Sequence, residues 1–232
     1  MISLVDLITC LPEASVISIA GAGGKTTLMF RLAEMLPVPC VMTTTTKVGA
    51  DQIRKADSTS TIDCIDGMIP GKKMWVTPSL APVKGKIPGG TLVDFKKLAA
   101  FCAERGWGLV NEADGAACRH IKAPAAHEPV IPAESNVCVY AVGLDVLGKP
   151  VSDETVHRPE VFTRLTGTEA DEAITAEAVL RLLEHPEGGL KGFPAGALRV
   201  VYLTHADTSE RKDAAAWIDD RIKTYNFVCA HE

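Results

Sequence analysis

A short apolar run, Val16 to Ala20, passes into Gly21-Ala22-Gly23-Gly24-Lys25-Thr26-Thr27, and apolar residues then recur at Leu28, Leu32, Met35 and Leu36. The run reads as a buried strand, and the later spacing predicts a helix that Pro37 ends. Glycines in such a turn let backbone N–H groups curl around an anion with no Cβ in the way. The helix starting near Lys25 presents its unpaired N–H groups and the positive end of its dipole to the same point. Strand, glycine turn, lysine and helix in this order are the context of a phosphate-binding loop. Gly21, Ala22, Gly23, Gly24, Lys25, Thr26 and Thr27 would then line a nucleoside triphosphate such as ATP or GTP. Lys25 would reach the β/γ-phosphates and the Thr26 hydroxyl would ligate Mg²⁺. The loop is a variant, because Ile19 stands where the common pattern has its first glycine. A glycine-rich turn without a ligand is the plainer alternative.

Strand and helix signals alternate along the rest of the chain, the pattern of an α/β protein. Further strands are expected at 39–46, 74–77, 107–111, 136–142 and 198–203, with an edge strand at 227–229. Helices are expected at 92–102, with Gly106 just past the end, and at 159–165, 175–184 and 209–223. Residues 83–90 read as a turn-rich excursion. Such spacings need crossover connections and give a mostly parallel sheet. The expected fold is a P-loop NTPase-like three-layer sandwich, as one domain over residues 1–232. Ligands of such sheets bind at the carboxyl ends of the strands.

Composition narrows the partners. The 232 residues are 47% hydrophobic and 23% charged, with net charge −5. That balance is ordinary for a globular protein and argues against nucleic acid or a membrane surface as a partner. Few aromatics leave no stacking platform for single strands. The N-terminal residues lack the basic start and apolar core of a signal peptide, and no apolar run approaches a membrane span. Seven cysteines are scattered without a C-x-x-C pair. The expectation is a reducing cytoplasm with mostly buried thiols; Cys118, close behind Glu112-Ala113-Asp114, is the one to watch for selenium or sulfur handling, an ordinary thiol being the plainer reading.

Other motifs fall at expected strand ends. Glu112 and Asp114 are two apart on an extended chain, so both can face one Mg²⁺ opposite the loop. Thr45, Thr46 and Lys47 close a threonine run, which β-propensity explains as well as a ligand does. Asp207 follows a late strand where guanine-nucleotide proteins carry Asn-Lys-x-Asp, but Thr204 and His205 replace the first two residues. Asp207 as a helix N-cap is the better reading. His120, Lys122, His127 and Glu128 follow the carboxylate motif, and His157 and Arg158 precede Pro159; a surface histidine is usually just solvated, but both stretches combine His with charge and proline in loops, better than average places for a site.

Together these stretches resemble the YqeC-type selenium cofactor biosynthesis proteins, accessory proteins of selenium-dependent molybdenum hydroxylases. The resemblance is carried by the glycine loop, Thr43 to Lys47, Glu112-Ala113-Asp114-Gly115, Lys122 to Pro132 and Val156-His157-Arg158-Pro159-Glu160. It implies a nucleoside triphosphatase that helps mature a client molybdenum hydroxylase. Lys25 and Thr26 would contact phosphate and metal, and Glu112 and Asp114 would hold metal or orient water. His127, Glu128, His157 and Arg158 would serve substrate or switch, with Arg158 able to stabilise transition-state charge. Two alternatives stay open. One is an ATP-dependent ligase or small-molecule kinase, since the loop also resembles that of Mur ligases. The other is a non-hydrolysing binder of a pyrophosphate-bearing cofactor.

Overall fold

The computed structural model describes residues 1–68 and 70–231. Its strands, in chain order, are β1 (Val16–Gly21), β2 (Cys40–Thr44), β3 (Val48–Gly49), β4 (Ser58–Thr61), β5 (Lys73–Thr77), β6 (Lys86–Ile87), β7 (Gly108–Glu112), β8 (Ile121–Lys122), β9 (Val137–Gly143), β10 (Val156–His157), β11 (Leu198–Thr204) and β12 (Phe227–Ala230). Its α-helices are α1 (Leu4–Cys10), α2 (Lys25–Met35), α3 (Ala50–Ile53), α4 (Leu92–Arg105), α5 (Pro159–Thr166), α6 (Ala176–Glu184) and α7 (Ser209–Arg221).

Eight strands form one sheet in the order β12-β11-β9-β1-β7-β2-β5-β4, and every pairing within it is parallel. The fold is therefore α/β, of the P-loop NTPase-like sandwich class. Parallel strands are covered on both faces, so their sequences are apolar without alternation. β9, Val-Cys-Val-Tyr-Ala-Val-Gly, is buried at every position.

The two faces are nevertheless distinct. Ile17 and Ile19 of β1, Met42 of β2 and Val110 of β7 pack with Leu4 and Leu7 of α1 and Leu28, Met29 and Leu32 of α2. The intervening residues Val41 and Leu109 pack on the other face with Phe95, Leu98 and Cys102 of α4. Tyr140, Val142, Val201 and Leu203 meet Phe162 of α5, Val179 and Leu182 of α6 and Ile218 of α7. This is the three-layer arrangement that the alternation of elements predicts.

β1 is central. Its neighbours β7 and β9 lead to opposite halves of the sheet, which makes the carboxyl end of β1 a topological switch point and the expected ligand crevice. The turn-rich excursion contains β6, which pairs with β3 in a small antiparallel ladder. α1 and β4 are elements that periodicity alone does not single out.

Candidate functional site

The chain leaves β1 through two residues that only glycine tolerates. A Cβ on Gly21 would stand 2.3 Å from the Ala141 carbonyl oxygen, and one on Gly23 would stand 2.4 Å from the Gly143 nitrogen. Both have positive φ, as does Gly24, which begins α2. Gly24 gives that helix no side-chain cap, whereas Ser3, Thr91, Thr175 and Thr208 cap α1, α4, α6 and α7. The first N–H groups of α2 are thus left for another acceptor. Thr204, at the end of β11, holds the loop from the other side by donating from Oγ1 to the Gly23 carbonyl at 2.8 Å.

Lys25 points back into the turn. Its Nζ donates to the Gly21 carbonyl at 2.7 Å and lies 3.3 Å from Asp114 Oδ1 and 3.8 Å from Glu112 Oε1. The Thr26 hydroxyl donates to Glu112 Oε2 at 2.8 Å, and the Gly21 N–H donates to Asp114 Oδ2 at 3.2 Å. Both carboxylates therefore face the loop, as their spacing predicts. Asp114 Oδ1 is buried and accepts no hydrogen bond among the described residues. Burial raises the Glu112 pKa, against the lowering effects of Lys25 and the Thr26 hydroxyl. Thr26 Oγ1, Glu112 and Asp114 are the hard oxygen donors that Mg²⁺ takes, so the residues present fit that ion.

The network continues through Lys122, whose role the sequence did not reveal. Its side chain is fully buried, with Nζ 2.9 Å from Asp114 Oδ2, 2.6 Å from Glu128 Oε2 and donating to the Gly115 carbonyl at 2.5 Å. Arg158 Nη1 lies 2.7 Å from the same Glu128 oxygen. Burial raises the Glu128 pKa, but Lys122 and Arg158 outweigh it and hold the carboxyl at about 2. Lys25, Lys122 and Arg158 thus balance Glu112, Asp114 and Glu128. Buried charges persist only when matched in this way. The Tyr140 hydroxyl donates to the Lys122 carbonyl at 2.8 Å and steadies the chain at that point.

The remaining residues divide. Arg158 starts α5 with φ 71, and Pro159 follows as the first helical residue. His157 pairs in register with Lys122, and burial, Arg158 and Lys122 lower its pKa, which favours the neutral ring. His127 is exposed and makes no hydrogen bond or ion pair among the described residues, so it stands apart from the network. The threonine run is used mainly by the backbone. Thr43, Thr44 and Thr45 donate to the carbonyls of Val76, Glu112 and Val130 at 2.9, 2.9 and 3.2 Å. Thr46 Oγ1 lies 3.5 Å from where a Cβ on Gly115 would stand, beside the carboxylate loop, and Lys47 is exposed. Thr27 is exposed.

Asp207 is exposed and paired with Arg211 at 2.5 Å. The cap of α7 is Thr208, one residue beyond the Asp207 that the sequence suggested. Four cysteines are buried, while Cys10, Cys64 and Cys118 are exposed. Among the described residues no helix is long and apolar enough to cross a membrane.

A parallel α/β sandwich with a glycine turn, a buried lysine and paired strand-end carboxylates has the architecture of the phosphate-loop class. A family model described as YqeC protein matches residues 17–160, a span that contains the whole charged network. The chain is also 34% identical over 208 residues to "Uncharacterized protein YqeC" of Escherichia coli (strain K12), an alignment covering 84% of this chain and 78% of that relative. The chain belongs to the YqeC family.

Proposed function

We propose that this protein binds a nucleoside triphosphate with Mg²⁺ and hydrolyses it while acting as a maturation factor for a selenium-dependent molybdenum hydroxylase. One observation carries the nucleotide reading. Lys25 is buried between the Gly21 carbonyl and two carboxylates, directly below an uncapped helix N-terminus. A buried ammonium there balances Glu112 and Asp114 in the free protein. It is also within reach of any phosphate that settles on the N–H groups of α2.

The chain's residues have separable tasks in this reading. The N–H groups of residues 22–27 cradle the β-phosphate, and Lys25 turns from the carboxylates toward the β/γ-phosphates. Thr26, Glu112 and Asp114 hold the Mg²⁺ ion, which when bound neutralises charge on the phosphate oxygens. Asp114 is already engaged by Lys122, which leaves Glu112 as the group to take a proton from, or orient, an attacking water. Arg158 stands at the outer end of the same chain of charges and is our candidate for offsetting charge in the transition state. The sequence resemblance supports the selenium and molybdenum part of the reading, with a client enzyme accelerating slow basal turnover.

Phosphate release measured against Mg²⁺ concentration tests the assignment. Glu112→Gln and Asp114→Asn should each abolish the Mg²⁺ dependence of turnover. Wild-type behaviour in both variants would place the ion elsewhere.

A further inference from the structure

A second group of ligand-bearing side chains lies beside the phosphate loop and has no task in the reading above. His120 Nδ1 lies 2.6 Å from Asp145 Oδ1. The His120 and His205 rings stack with centroids 4.8 Å apart and planes 9° apart. One ligand atom from each of His120, Asp145 and His205 lies within 4.8 Å of the others, and all three residues are half-buried. They come from the segment before β8, the turn after β9 and the turn after β11, so three separate connections converge on one point at the carboxyl edge of the sheet.

The backbone is shaped to allow this. His205 has φ 57, the left-handed region that a non-glycine residue rarely adopts and that clusters at functional sites. A Cβ on Gly143 would stand 2.8 Å from His120 Cβ and 2.9 Å from Asp145 Oδ1, so glycine there is what lets the imidazole and carboxylate meet. Lys149 takes the other carboxylate oxygen at 3.0 Å, which leaves Oδ1 for the cluster.

We propose that His120, Asp145 and His205 bind a divalent transition cation of the Zn²⁺ or Co²⁺ type, at a site distinct from the Mg²⁺ position at Thr26. Imidazole suits these borderline cations, whereas Mg²⁺ takes an all-oxygen set. Two histidines and a carboxylate are a catalytic-type set, leaving a coordination position open to water or a ligand. Tetrahedral ligands at zinc distances lie about 3.3 Å apart, so the cluster must contract, and ring rotation supplies that movement. The His120 side chain is 41% exposed, so its ring can rotate once the Asp145 contact is exchanged for the cation. The site adjoins the anion loop directly. Gly143 N–H donates to the His120 carbonyl at 2.7 Å, and Thr204, next to His205, holds the Gly23 carbonyl.

The test is a titration of the full chain with Co²⁺, without nucleotide and in excess Mg²⁺, followed by the visible ligand-field absorption. We expect one saturable equivalent. His205→Asn preserves the left-handed backbone, which asparagine tolerates, and should weaken cobalt at least about tenfold. His120→Gln, at a half-exposed position, should do the same and carries the test should His205→Asn fail to fold. Lys25→Ala should bind cobalt as wild type does, which separates this site from the phosphate loop. Absence of the band, or affinity unchanged in both histidine variants, would overturn the proposal. So would a sulfur-to-cobalt charge-transfer band, which would place the ion on a cysteine and away from this cluster.

Discussion

Lys122 illustrates how a single residue can organise a site without announcing itself. It is a fully buried cation shared by Asp114 and Glu128. Removing one partner of a buried ion pair strands the others, at a cost of about 3–5 kcal/mol. Lys122→Met should therefore lower the unfolding free energy by about that amount in urea titration. A loss below about 1 kcal/mol would mean that the carboxylates find other partners. Lys25, Glu112 and Asp114 were legible in the sequence because each follows an apolar run at fixed spacing, and the structure brings all three together. Lys122 was legible only as one member of a charged stretch, because nothing in Ile121-Lys122-Ala123 distinguishes a buried ammonium from a solvated one. Its burial comes from Tyr140, Glu128 and the β8–β10 ladder, which are tertiary facts. His127 shows the opposite placement. Its neighbours carry the network while its own ring faces solvent.

At the scale of elements, α2 differs from α4, α6 and α7 by what it lacks. Thr91, Thr175 and Thr208 satisfy the first turns of α4, α6 and α7, but Gly24 leaves the first turn of α2 open. That opening depends on the close passage of Gly21 under β9. Gly21→Ala would place a methyl 2.3 Å from the Ala141 carbonyl at φ 91. The variant should lose about 1–3 kcal/mol from backbone strain alone, with a further loss from the clash, read as a lowered melting temperature together with lost nucleotide affinity. An unchanged melting temperature would show that the loop is not held as described. Most elements were readable from periodicity and caps, and Gly106 does end α4 in the left-handed conformation. β4 was not, because Ser58-Thr59-Ser60-Thr61 is an edge strand and carries no apolar signal. α1 could have been found, since Ser3 and Asp6 form a capping box before an apolar stripe.

For the molecule as a whole, sheet order matters more than any element. β7 inserts between β1 and β2, though α4 and four other strands separate it from β2 in sequence, and this insertion brings Glu112 and Asp114 to the loop. Strand order of this kind follows from long-range packing and is not written in local spacing. The same convergence couples the site to global stability. The Glu128 carboxyl, held at about 2 against an ordinary 4.5, stabilises the folded state above pH 4.5, and that contribution is lost as pH falls toward 2. Glu112, whose pKa is raised, acts with the opposite sign, favouring the folded state on protonation. Urea midpoints measured through this window should fall more steeply for wild type than for Glu128→Gln, and parallel curves would contradict the role given to the Glu128 ion pairs.

The proposed function stands or falls with the turn at Lys25 as a nucleotide phosphate site. Isothermal titration of the wild type and of Lys25→Ala with ATP and with GTP, each with and without Mg²⁺, tests it most directly. Mg²⁺-dependent binding of at least one triphosphate is expected of the wild type. That binding should be lost in Lys25→Ala, which stays folded because Lys122 still pairs Asp114 and Glu112 can take up a proton. Equal affinity in the two proteins, or no binding by either, would contradict it.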